Sequence, residues 1–188
     1  MTNRIGRLIL GLAALAAGIG CVLAQTASEA TPEPTPAPAP QRAVAQIGSA
    51  SGSKVRGSAT FTQDGATITL RVSLEHAPPG VHAVHLHEKG DCSAPDATSA
   101  GGHWNPSSHA HGEWGTAPFH LGDVGNLVIG ADGNGALLLT TELWSIGSKA
   151  ANDVVGTAII VHAAPDDFKT QPTGNAGARI GCGVVRPE

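Results

Sequence analysis

Between Ala66 and Glu75 apolar and polar residues alternate without a break. Ala66, Ile68, Leu70, Val72 and Leu74 fall on one side, and Thr67, Thr69, Arg71, Ser73 and Glu75 on the other. A period of two is a strand with one buried face, and a helix cannot satisfy it. Asp64-Gly65 just ahead is a hairpin turn, so Lys54–Gln63 is expected to run antiparallel to it. Further strands are predicted near Val44–Gly48, Val81–His87, Asn126–Ile129, Ala136–Leu143, Val154–His162 and Arg179–Val185, with Asp132-Gly133 and Asn134-Gly135 as turn dipeptides. The 25 glycines, 13 prolines and 14% charged residues suit such a chain and would spoil a helical bundle. An all-β fold follows.

The first residues read as an address. Arg4 and Arg7 precede an uncharged run from Leu8 to Ala24 that ends in Val22-Leu23-Ala24, a small-residue cleavage pattern. The run is weakly apolar and no basic cluster follows it, so residues 1–24 are expected to be a signal peptide rather than a membrane anchor. Cys21 offers a second route, in which the cysteine is acylated and tethers the chain to a membrane. Residues 25–46 are expected to form a proline-rich linker, because the alternate prolines of Thr31–Pro40 fix φ and remove amide donors. The domain proper is expected at 47–188. Loss of residues 1–24 leaves 9 basic against 15 acidic residues, a net charge of −6, with no basic stripe for nucleic acid. It also leaves two cysteines, Cys92 and Cys182, which in a periplasmic or extracellular setting read as one disulfide.

Nine histidines are the compositional anomaly. In Val81–His87, His85 and His87 share one strand face while Val84 and Leu86 turn to the other. In Ala158–His162, Ile159 and Val161 take one face and His162 the opposite one. Between His87 and Asn126 lies a long stretch of Gly, Ser, Pro and His with almost no strand signal, which something must order. It carries His103, His111, His120 and Asp123. Three imidazoles and a carboxylate suit zinc, and an imidazole-rich set that includes His85, His87 and His162 suits copper.

The runs His82-Ala-Val-His-Leu-His87, Gly90-Asp-Cys92, Ser99–Pro106, His120-Leu-Gly-Asp-Val-Gly-Asn126, Val155–His162, Pro165-Asp-Asp167 and Gly174–Gly183 resemble the copper/zinc superoxide dismutase family in its bacterial exported form. The resemblance covers roughly Ile47 to Val185. It implies an eight-stranded Greek-key β-barrel, an immunoglobulin-like sandwich with two long metal-covering loops. Copper would be held by His85, His87, His103 and His162. Zinc would be held by His103, His111, His120 and Asp123, with His103 shared by both ions and His109 left at the surface. Asp166 would orient one histidine of each set, Cys92 and Cys182 would form the disulfide, and Arg179 would stand beside copper. His82 would brace loops.

The resemblance further implies dismutation of superoxide anion to oxygen and hydrogen peroxide, with Arg179 and His103 as the catalytic residues and a monomer or homodimer as the working unit. The alternative is an exported, non-catalytic copper-binding or metal-buffering protein. That protein would need the histidines but not Arg179 or Asp166.

Overall fold

The computed structural model describes residues 41–188; the expected signal peptide, Cys21 and the proline run lie outside them. Among the described residues there are nine strands: β1 (Gln41–Ser49), β2 (Arg56–Asp64), β3 (Thr67–Glu75), β4 (Gly80–His87), β5 (Gly125–Ile129), β6 (Gly135–Thr141), β7 (Ala158–His162), β8 (Arg179–Val184) and the two-residue β9 (Arg186–Pro187). The alternation noted in β3 is realised: Ile68, Leu70, Val72 and Leu74 are buried. β2 pairs with β3 from Arg56↔Glu75 to Asp64↔Thr67. Gly65 takes φ +58 at the first central position of the hairpin, where a turn of the II′ kind asks for glycine.

The strand order is β5-β4-β7-β8-β1-β2-β3-β6, and every pairing is antiparallel. The connections β3 to β4 and β6 to β7 cross between the two halves, which is the Greek-key pattern. β5 and β6 lie side by side at the remaining seam; a Cβ on Gly135 would stand 2.5 Å from the Val128 carbonyl oxygen. The result is an all-β, nearly closed barrel of eight main strands. Among the described residues no helix is long and apolar enough to cross a membrane.

Three expected boundaries need correction. The strand expected near Val44–Gly48 is present but begins earlier, at Gln41, so the linker expected to reach residue 46 ends before it; Ala43 and Ala45 are buried in the core and the register with β2 starts at Gln41↔Gln63. The alanines are small, and their alternation is easily overlooked beside the prolines. The strand expected to reach Leu143 stops at Thr141, whose hydroxyl accepts the Leu143 N–H and turns the chain. The strand expected from Val154 starts at Ala158, because Thr157 bonds back to the Val154 carbonyl through both its N–H and its hydroxyl.

The core inside the barrel is built on Phe61, Leu70, Leu86, Leu127, Trp144 and Ile159, each worth about 1.5–3 kcal/mol on burial. A second, smaller cluster lies outside the barrel wall. There Ala158 and Ile160 of β7 and Cys182 of β8 are covered by Ala97 and Ala100. These alanines cap and end a single 3₁₀ turn, Thr98–Ala100, in the long segment 88–124. The Cys92–Cys182 disulfide pins that segment to β8. The outer face of β4, β7 and β8 is therefore roofed, and the site lies under the roof.

Candidate metal centre

β4 is buried along its final six residues on both faces. Val84 and Leu86 enter the main core, as Ile159 and Val161 do from β7. Parity then sends His85, His87 and His162 outward beneath the covering segments, where all three are buried. His103 joins them through an antiparallel bridge with His87. One ligand atom from each of His85, His87, His103 and His162 lies within 4.8 Å of the others.

In each of these four rings one nitrogen is buried without any partner: Nδ1 of His85 and Nε2 of His87, His103 and His162. A buried lone pair left unmatched is costly, and four converging on one point fit a cation such as copper, which favours imidazole. The opposite nitrogens are fixed. The Nε2–H of His85 donates to Asp166 Oδ2 at 2.8 Å, and the Nδ1–H of His87 donates to the Gly101 carbonyl at 2.9 Å. His162 Nδ1 faces the Gly177 carbonyl at 3.3 Å. Each tautomer is thereby set to present its free lone pair inward.

The second set is tighter. Asp123 Oδ1 lies 2.8 Å from His103 Nδ1, 3.0 Å from His111 Nδ1 and 3.1 Å from His120 Nδ1, and His120 Nδ1 is 3.4 Å from His103 Nδ1. Zinc bonds of 2.0–2.1 Å in a tetrahedron require ligand separations of about 3.3 Å, so the four atoms fit that ion. Asp123 spends its other oxygen on the backbone: Oδ2 accepts the N–H groups of His120 at 2.8 Å and Gly112 at 3.1 Å. His103 thus divides its two nitrogens between the two sets. It is the ring they share.

Asp166 ties the sets together from outside. It accepts the His85 Nε2–H on one oxygen and the His111 Nε2–H, at 2.9 Å, on the other. Its own backbone is held by Asn126, whose amide donates to the Asp166 carbonyl at 2.9 Å and accepts the Asp166 N–H at 2.8 Å. The contact needs a bare neighbour: Gly174 sits at φ +64, and a Cβ there would come within 1.8 Å of Asp166 Oδ1.

Charge follows geometry. Burial, reinforced by neighbouring histidines, lowers His87 to about 2 and His162 to about 3, with the Arg179 guanidinium adding to both. Burial and the nearby His85 lower His103 to about 4 against the pull of Asp123. His111 goes the other way: burial opposes its charge, but hydrogen bonds to Asp123 and Asp166 outweigh it and raise it to about 9. For both carboxylates burial favours the neutral acid, yet their histidine partners hold them well below the usual carboxylate range.

Arg179 opens β8, half-buried, with Nη1 donating to the Ala97 carbonyl and Nη2 to the Gly101 carbonyl at 2.6 and 2.7 Å. Gly101 also accepts from His87, so the guanidinium and the His87 ring hang on one carbonyl. The His82 ring lies between the carbonyl oxygens of His162 and Pro78, at 2.8 and 2.9 Å, bracing β4 against β7. His76, His109 and Lys169 are exposed and join neither set. Sequence reasoning assigned no role to Asn126, Gly101 or Gln171. Asn126 stood within a quoted motif, but only the fold shows what its amide meets.

A barrel carrying these two histidine sets around one shared ring is a two-metal β-protein. The family model described as copper/zinc superoxide dismutase matches residues 55–185. The chain belongs to the copper/zinc superoxide dismutase family. It is 40% identical over 142 residues to a superoxide dismutase [Cu-Zn] of Caulobacter vibrioides, spanning 73% of this chain and 82% of that protein. It is 35% identical over 146 residues to superoxide dismutase [Cu-Zn] 1 of Aquifex aeolicus, spanning 76% and 86%. Among solved structures it resembles the clock protein EA4 with a TM-score of 0.69 at 32% identity, covering 79% of this chain and 96% of that one. It also resembles a doubly substituted SOD-like protein of Bacillus subtilis, with a TM-score of 0.68 at 34% identity, covering 76% and 96%.

Proposed function

We infer that this chain is a superoxide dismutase that uses one copper and one zinc ion, and that His85, His87, His103 and His162 hold copper while His103, His111, His120 and Asp123 hold zinc. The observation that carries the reading is His103, one buried ring whose two nitrogens serve two converging ligand sets. Copper supplies the one-electron exchange that two superoxide anions need to become oxygen and hydrogen peroxide, and zinc supplies a redox-inert charge.

The chain's own residues do the rest. Arg179 offers a permanently charged fork to a small anion beside the copper set, and its two carbonyl anchors keep that fork aimed. His103 Nε2 is the nitrogen on which a proton can be held next to that anion. Asp166 keeps one ring of each set in the tautomer that binds metal. A mature charge of −6 repels the substrate overall, so the attraction of Arg179 is local and screened by salt. A metal-buffering protein has no use for a guanidinium anchored in this way.

Export completes the reading: residues 1–24 direct the chain to the periplasm or beyond. The test is a superoxide consumption assay on the chain loaded with both metals, with and without a copper chelator. Chelator-sensitive activity is expected, and a fully loaded chain without activity would refute the reading. Mass analysis of the exported protein tests the rest. A free N-terminus at Gln25 is expected, whereas an acylated Cys21 would mark a lipid tether.

A further inference from the structure

We propose that Gln171 is a positioning residue for the zinc set, gripping the backbone of His111 from the opposite loop; this rests on the assignment of His111 to zinc. The other ligands of that set have rigid supports. His103 is bridged to β4, while His120 and Asp123 close a local turn in which Asp123 takes the His120 N–H. The backbone N–H and carbonyl of His111 have no backbone partner among the described residues, although the next N–H, that of Gly112, is taken by Asp123 Oδ2 at 3.1 Å. Among the described residues, the backbone of residues 105–119 makes only local backbone–backbone bonds, Ser108 N–H to the Asn105 carbonyl and Thr116 N–H to the Glu113 carbonyl.

Gln171 supplies what is missing from 60 residues away. Its Oε1 accepts the His111 N–H at 2.8 Å, and its Nε2–H donates to the His111 carbonyl at 2.8 Å. The side-chain amide thus does for His111 what a neighbouring strand would do. Its orientation is fixed by chemistry, since a backbone N–H can only donate. A further bond from Nε2 to the Lys169 carbonyl at 3.2 Å holds the amide plane. With Asp166 on the ring, the loop between β7 and β8 holds His111 at three points. That loop runs directly into Arg179, so one segment carries the grip on a zinc ligand and leads to the anion-binding guanidinium.

Gln171 is exposed and lies outside both ligand sets, so its truncation leaves core and ligands intact. The test uses the full mature chain, stripped of metal and titrated with cobalt(II) as a visible stand-in for zinc. Affinity is measured by chelator competition and geometry by the cobalt absorption bands. Gln171→Met keeps length and bulk but removes both bonds; Gln171→Ala removes the side chain. Both are expected to weaken cobalt binding about tenfold or more and to shift the bands, with the melting temperature of the metal-free chain unchanged. Binding within twofold of the parent for Gln171→Met overturns the proposal, as does a loss matched by a lower metal-free melting temperature. If the parent chain itself gives no tetrahedral cobalt spectrum that His120→Ala abolishes, the zinc assignment fails and the proposal falls with it.

Discussion

Asp166→Asn separates the two metal sets by a difference in how their ligands are supported. The carboxylate accepts from two rings at once, 2.8 Å from His85 and 2.9 Å from His111. An amide of the same shape has one acceptor oxygen, so one ring must lose its partner or move its proton to Nδ1, where it blocks the metal-facing lone pair. His85 sits inside β4, paired to Ile160 of β7, and its Cα cannot drift. His111 sits in irregular chain and has no ladder to hold it. The loss should therefore fall mainly on the zinc set. Removing an orienting partner typically weakens metal binding 10- to 100-fold, or about 1.4–2.7 kcal/mol. Zinc affinity is expected to drop by that range while copper affinity changes less than about tenfold, both read by chelator competition with metal analysis after dialysis. Equal losses at the two sets, or zinc affinity untouched, would refute the argument from backbone support.

Arg179→Ala should cut the rate at least about tenfold and flatten its dependence on ionic strength while both metals stay bound; unchanged kinetics would remove Arg179 from the mechanism. Reducing Cys92–Cys182, which closes a 90-residue separation, should cost up to about 4–5 kcal/mol of stability and loosen the carbonyls that aim Arg179, so melting temperature and activity should fall together. In the metal-free protein, His87, His103 and His162 resist protonation when folded (about 2, 4 and 3) but take protons near 6.5 when unfolded. Stability should therefore fall as pH drops from 6.5 toward 4, and a urea midpoint that stays flat over that window would contradict it. His111 has the opposite sign: its stabilisation is complete below 6.5 and is lost as pH rises through about 9, the same range in which zinc no longer has to displace its proton. Zinc affinity at that site should therefore climb toward pH 9.

The strands were readable because their signal is local. Alternation in β3 and the outward parity of His85, His87 and His162 survive in any all-β packing, and the exposed or half-exposed polar residues of β2 mark its partner. What escaped was set by neighbours distant in sequence. Asn126 and Gln171 carry no periodic or spacing signal, because a side-chain amide that imitates a backbone is recognisable only once the backbone it grips has been placed. The start of β1 was hidden for a different reason: Ala43 and Ala45 bury little surface, so beside ten residues of alternating proline the residues ahead of the strand expected at Val44 read as linker. Its pairing with β2 and β9 overrides that weak local preference.

The distribution of support across the site has a consequence for assembly. Three of the four copper ligands stand on paired strands, and the fourth, His103, is bridged to one of them. That set forms as the barrel forms. The zinc set draws His111 and His120 from irregular chain and depends on hydrogen bonds from Asp123, Asp166 and Gln171 to collect them. Ordering such chain carries an entropy cost of about 1–2 kcal/mol per residue, which those few bonds alone do not offset; the ion's binding free energy can. Zinc is then a folding ligand for residues 105–119 as much as a partner of copper. His103 would offer Nδ1 to that ion, which leaves Nε2 of the same ring facing the copper set. In a copper-loaded, zinc-free chain amide exchange should therefore be fast across residues 105–119 while His103, bridged to β4, stays protected, and equal protection of the two would refute the argument.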